Sequence, residues 1–177
     1  VPSAINSQPG LDFNGSTSKM ILDSGFSFSG STGTLFIVQK METTGGTNIV
    51  FANDQMKVQG GGDTTTDYLV NTGTWNTALS GRTIAADTYY INAFTYNGIY
   101  QHAYINGTPY RRAQTGALNG SPTQAILGDT SFDGEIAEVI VFDSKLNQSE
   151  IRSIEQYLSK KYGIFTNSWN SFQMMGF

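Results

Sequence analysis

The chain has no cysteine, one histidine (His102) and little charge, with Asp, Glu, Lys and Arg making up 14% of its 177 residues, against about 25% in an ordinary soluble domain. Without thiols there is no disulfide framework and no thiolate metal site. With one histidine, any Ser-His-Asp chemistry rests on His102 alone, and no G-x-S-x-G nucleophile elbow occurs. The ten basic residues are dispersed, Arg111-Arg112 and Lys160-Lys161 being the only doublets, and the net charge is −4. Phosphate backbones are recognised by clustered Lys and Arg, so nucleic acid is not an expected partner. No apolar run approaches the ~18 residues of a membrane span, and no charged-then-apolar leader opens the chain. Val1, with no Met before it, points to a piece of a longer precursor.

Ser, Thr, Asn, Gln and 20 glycines take the place of charge. That mixture suits short strands joined by tight turns, and is associated with secreted, cell-surface and virion proteins. The length fits one domain of the usual ~100–200 residues. Asn-Gly pairs at 14–15, 97–98, 106–107 and 119–120 mark hairpin turns, because both residues tolerate positive φ. Thr88 to Arg112 therefore reads as a meander turning at Asn97-Gly98 and Asn106-Gly107. Further strands are predicted at 10–14, 19–22, 34–41, 48–52, 68–71 and 124–127, with a flexible Gly-rich loop at 60–66.

The stretch from Phe132 to Gly163 is the most informative. Residues 135–142 are apolar on both faces around Val139, Ile140, Val141 and Phe142, as in a strand covered on both sides. Asn147 stands three before Glu150, the spacing of a capping box. Ile151, Ile154, Leu158 and Tyr162 then form one apolar helical stripe, ended by Gly163, with Lys160 and Lys161 in the last turn. The fold class predicted is all-β: an antiparallel jelly-roll β-sandwich with one C-terminal α-helix. The domain spans 1–165. An apolar tail, 166–177, carries Trp169, Phe172, Met174, Met175 and Phe177. It either docks back on the sandwich or packs on a neighbouring subunit.

Several segments resemble the laminin-G-like, concanavalin A-like lectin/glucanase jelly rolls. Gln8-Pro9-Gly10-Leu11-Asp12-Phe13-Asn14-Gly15-Ser16 resembles their opening strand, and Thr34-Leu35-Phe36-Ile37-Val38 their second core strand. Tyr89 to Gly98 with Ala103-Tyr104-Ile105-Asn106-Gly107 resembles their hairpin, and 126–163 their strand-and-helix ending. An upstream segment common in such domains has no counterpart here, which implies a start after that strand. The resemblance implies an extracellular, bacterial-surface or phage-virion setting. The expected role is a non-catalytic recognition or adhesion module for a glycan or cell-surface polysaccharide. A structural virion subunit binding neighbouring proteins through the tail is the alternative, and a polysaccharide-acting enzyme the third.

Some members of that family are glucanases, whose chemistry needs paired carboxylates facing one cleft. Glu135 and Glu138 are three apart on a strand and are expected to face opposite ways. Asp133 and Glu135 share a face, but no third carboxylate follows. Tyr100, His102 and Tyr104 alternate on one strand and share a face. They form either a polar-aromatic surface or a sugar platform, since aromatic faces stack on pyranose C–H groups. Tyr90, Asn92 and the Asp63 and Asp67 of the Gly-rich loop are expected to help bind the ligand. Calcium is the ion the resemblance implies, and it needs six to eight oxygens. Asp129 and Asp133 flank a turn after Gly128 and are the expected metal pair, with Asp63 and Asp67 another; turn capping also explains both.

Overall fold

The computed structural model describes residues 4–23, 28, 32–43, 48–61, 65–71, 73–77, 83–113 and 117–167. Its strands are β1 (Ala4–Ile5), β2 (Gln8–Pro9), β3 (Leu11–Asn14), β4 (Met20–Asp23), β5 (Gly33–Met41), β6 (Asn48–Ala52) and β7 (Met56–Gly61). They continue with β8 (Thr65–Asn71), β9 (Trp75–Thr77), β10 (Thr88–Tyr96), β11 (Tyr100–Ile105), β12 (Thr108–Ala113), β13 (Gln124–Leu127) and β14 (Asp133–Phe142). One helix, α1 (Gln148–Tyr162), follows. Two six-stranded antiparallel sheets form the sandwich, ordered β12-β11-β10-β5-β14-β3 and β4-β13-β6-β7-β8-β9. The predicted all-β sandwich with a C-terminal helix is what the chain adopts.

The alternation of β5 shows how one run of sequence serves two cores. Leu35, Ile37 and Met41 point between the sheets, where they meet Phe13, Phe51, Tyr68, Phe94 and Phe132. Phe36 and Val38 point outward and join Ile91, Ala93 and Tyr104 under Ile151, Leu158 and Tyr162 of α1. A strand covered on both faces needs apolar residues at every position, hence the uninterrupted Leu35–Val38 run. Each fully buried side chain of this size contributes about 1.5–3 kcal/mol. The helix is thus a third layer on the outer face of the first sheet.

That helix is fixed at both ends by local chemistry. The Asn147 side chain accepts from the N–H groups of Ser149 (2.9 Å) and Glu150 (3.1 Å), while the Glu150 carboxylate accepts from the Asn147 N–H at 2.7 Å. Gly163 closes it at φ 67°. Asn147→Ala should therefore cost about 1–2 kcal/mol of stability, read as a lower midpoint in urea followed by circular dichroism. An unchanged midpoint would mean the box contributes nothing.

Several expectations are corrected. Of the loop predicted at 60–66, Gly60 and Gly61 instead end β7 and Thr65 and Thr66 open β8, with Gly60 paired to Thr66, while residues 62–64 lie outside the described ones. β7 and β9 go beyond the expected strands: in β7 tertiary pairing overrides the weak strand propensity of Lys, Gln and Gly, and β9 is only three residues long. Asn97-Gly98 and Asn106-Gly107 do turn hairpins, but Asn14-Gly15 passes the chain from one sheet to the other, and Asn119-Gly120 lies in the connection into β13. The tail beyond Asn167 lies outside the described residues. Its start docks on the sandwich, with the Asn167 N–H donating to the Asn106 carbonyl at 2.8 Å and its amide to Thr108 Oγ1 at 2.8 Å.

The long strand β14 departs most from expectation. Its register against β5 shifts between Ile136 and Glu138, a bulge that places one extra residue, Ala137, in the strand. β3 covers it only from Asp133 to Ile136. Beyond that point its outer edge has no strand partner among the described residues. Residues 138–142 are therefore half-buried, not sealed, and a groove of about 490 Å³ lined by Leu11, Met20, Leu22, Val139 and Val141 runs alongside.

Candidate binding cleft

The register of the meander decides which side chains meet. Ala93 pairs with Tyr104 and Thr95 with His102 across β10 and β11, and Tyr104 pairs with Pro109 and His102 with Arg111 across β11 and β12. Cross-strand partners share a face. Tyr100, His102 and Tyr104 accordingly lie together on the outer face, the first two ring centroids 6.3 Å apart in an edge arrangement. This is the face that α1 covers. Tyr104 is buried beneath the helix, whereas His102 and Tyr100 are half-buried.

Between that strand pair and the start of α1 lies a cleft of about 430 Å³. His102, Tyr104 and Pro109 form its floor. Lys145, Leu146, Asn147 and Gln148 form the wall, with Ile151 behind. The wall is pinned from below by Thr34, whose hydroxyl donates to the Ser144 carbonyl (2.8 Å) and accepts from the Leu146 N–H (3.0 Å). Thr95 stands between Thr34 and His102 in the same outward row, and its fully buried hydroxyl has no partner among the described residues. Burial pushes the Tyr104 phenol up, and the nearby charge of Glu155 adds to this while Arg152 opposes it. A neutral phenol, an imidazole, two side-chain amides and an ammonium around an aromatic floor can bind a polar ligand with an apolar face.

The other predicted ligand residues are not in this cleft. Asn92 faces inward, 1% exposed, and accepts a hydrogen bond from the Tyr68 hydroxyl. Tyr90 faces inward too, its hydroxyl accepting from the Ala85 N–H at 2.9 Å. Both are corrected from binding residues to parts of the interior. Asp63 lies outside the described residues; Asp67 sits on β8 opposite Gln59, its side chain outside the described ones.

Asp129 is a turn cap. Its Oδ1 accepts from the Ser131 N–H (3.0 Å), the Ser131 hydroxyl (2.6 Å) and the Ile49 N–H (3.3 Å). Oδ1 is thereby taken up by the turn, and a calcium ion would have to be held through Oδ2. Asp133 opens β14 half-buried, and its carbonyl accepts from the Glu42 N–H at 2.9 Å. No group of three or more His, Asp or Glu residues suited to a metal ion occurs among the described residues.

The bulge also overturns the expectation for Glu135 and Glu138. Glu135 pairs with Lys40 and Glu138 with Val38, both outward positions of β5, so the two carboxylates share the outer face. Each is engaged. Glu135, buried, meets Lys40 Nζ at 2.6 Å and accepts from the Tyr89 hydroxyl; Glu138 meets Lys161 Nζ at 3.1 Å. The Glu138–Lys161 pair ties the end of α1 to the sheet, while Glu135 joins neighbouring strands.

Sequence reasoning missed Lys145 and Gln148, which enter the cleft only because α1 folds back over β11. It also missed Trp75 on the outer face of the other sheet, 41% exposed, with Lys57 Nζ 4.9 Å from its ring centre. A lone Trp between two short Thr-rich stretches was the available signal.

The family model for the concanavalin A-like lectin/glucanases superfamily matches residues 14–152. Among similar solved structures is domain 4 of AbnA, a GH43 extracellular arabinanase from Geobacillus stearothermophilus, in complex with arabinotriose. It has 18% identity and a TM-score of 0.69, over 83% of this chain and 76% of that one. A Trypanosoma rangeli sialidase is similar at 16% identity and TM-score 0.65, over 85% of this chain but 27% of the sialidase. The binding domain of Botulinum neurotoxin DC in complex with SialylT matches at 11% identity and TM-score 0.64, over 81% of this chain and 41% of that one. At such identities the likeness is one of fold. No curated protein sequence matches the chain.

Proposed function

The chain belongs to the concanavalin A-like lectin/glucanases superfamily, and from that premise we propose that it is a non-catalytic glycan-recognition module whose site is the cleft between β11 and the start of α1. The observation that carries this is the pairing, in one 430 Å³ recess, of an aromatic and proline floor with a wall of amide and ammonium groups. Pyranose rings present the same two chemistries, apolar C–H faces and hydroxyl edges. Two of the similar structures were solved as glycan complexes, with arabinotriose and with SialylT. The engagement of Glu135 by Lys40 and Tyr89, and of Glu138 by Lys161, supports binding over hydrolysis, since a glycosidase needs two carboxylates free in one cleft. The setting we propose is extracellular or on a virion surface, where weak sites gain from many copies.

A glycan array probed with the intact protein tests this. His102→Ala should weaken the captured glycan by about tenfold, the equivalent of ~1.4 kcal/mol, without shifting the thermal midpoint. If Trp75→Ala abolishes capture and His102→Ala does not, the site lies on the opposite sheet. A blank array at high protein density, together with an ordered oligomer by mass photometry, would favour a structural subunit instead.

A further inference from the structure

Charge is unevenly placed around the cleft. The chain carries −4 overall, yet none of the residues lining this recess is Asp or Glu, and two of them are Lys145 and His102. Lys145 is exposed and has no ion-pair partner among the described residues. Glu150, on the same turn, is tied to the Asn147 N–H and lines a separate groove with Phe142 and Ser153.

The wall is also the positive end of a 15-residue helix. Asn147 satisfies the N–H groups of Ser149 and Glu150, and Gln148, the first helical residue, lines the cleft beside Lys145. The ammonium of Lys145, the helix N-terminus and the side-chain amide of Gln148 favour an anion, and the aromatic floor favours a ring beside it.

We propose that the cleft selects an anionic sugar, its carboxylate or sulfate held between Lys145 and the first turn of α1 with the ring against Tyr104 and Pro109. This rests on the glycan-binding proposal above and narrows its ligand class. Binding weakens as salt rises, because an exposed ammonium is screened over about 10 Å at 0.1 M.

Calorimetric titration with polygalacturonate, alginate and polysialic acid, each beside its carboxyl-reduced neutral form, and with dextran sulfate, tests the inference. At least one acidic polymer should bind about tenfold more tightly than its reduced form, and Lys145→Glu should remove that preference. Lys145 is exposed, and a carboxylate near a helix N-terminus does not harm the fold. Binding by dextran sulfate alone assigns the anion as sulfate; binding by the carboxylated polymers alone assigns it as carboxylate. Equal affinity for acidic and reduced forms, unmoved by Lys145→Glu, overturns the anion preference and leaves glycan binding standing. Silence from all of these polymers overturns the anion preference, and a blank array beside it removes the glycan site as well.

Discussion

Gly134→Ala should lower the free energy of unfolding by about 3 kcal/mol or more, seen as a large fall in the urea midpoint at unchanged slope. Gly134 adopts φ +153°, and a Cβ there would stand 2.2 Å from the Lys40 carbonyl oxygen and 3.0 Å from the Met41 Cα. Both atoms are backbone of β5, which is held on its other edge by nine residue pairs to β10 and cannot retreat. Backbone strain of about 1–3 kcal/mol adds to an overpacking cost of similar size. Gly60→Ala is the control. Its Cβ would meet the Met41 sulfur at 3.3 Å, a flexible thioether that can move aside, so the expected loss is below about 1 kcal/mol. Equal losses in the two variants would mean that β14 does not approach β5 as closely as described. The consequence reaches the cleft, because the bulge beyond Gly134 sets which residues of β14 lie under α1.

The legible parts of this fold are those decided within a few residues of chain. The Asn147–Glu150 box, the Gly163 stop and the turns at Asn97-Gly98 and Asn106-Gly107 all depend on local backbone chemistry, and all stand where the pattern put them. The apolar stripe of α1 showed that the helix is buried on one face, but not that the buried face would roof Tyr104. That is a long-range outcome of the chain turning back after Phe142. The bulge at Ala137 is equally non-local, being a register mismatch between two long strands, and strict period-2 reasoning misplaced Glu138 because of it. The direction of Asn92 was within reach. A two-residue turn at Asn97-Gly98 or the wider one observed, with Tyr96 opposite Gln101, pairs even positions of β10 with odd positions of β11. Either way Tyr90 and Asn92 point away from Tyr100, His102 and Tyr104. Lys145 and Gln148 could not be joined to His102 by any local pattern.

Glu155 should make stability fall as pH rises. Its side chain lies on the buried face of α1, 1% exposed, with Oε1 unpartnered among the described residues. Burial raises its carboxyl from 4.5 to about 7, against the lowering influence of the Gly107 N–H and of Arg152. The folded state therefore holds this proton more tightly than the unfolded chain. Below about pH 4.5 both states are protonated and nothing is lost; between 4.5 and 7 stability declines, and above 7 the full penalty is in place. At ~1.4 kcal/mol per unit the penalty reaches up to about 3 kcal/mol at pH 8. Glu155→Gln keeps the shape and an acceptor for Gly107 but cannot ionise. Urea titrations from pH 4 to pH 8 should show the two proteins equal at the acid end and the variant up to about 3 kcal/mol more stable at the alkaline end. Parallel curves would mean that Glu155 stays neutral throughout or is solvated. Glu155 is one helical turn from Ile151, which backs the cleft, and its ionisation raises the Tyr104 phenol beneath. The alkaline penalty therefore acts on the contact that holds the cleft together, and glycan affinity in Glu155→Gln should depend less on pH than in the parent.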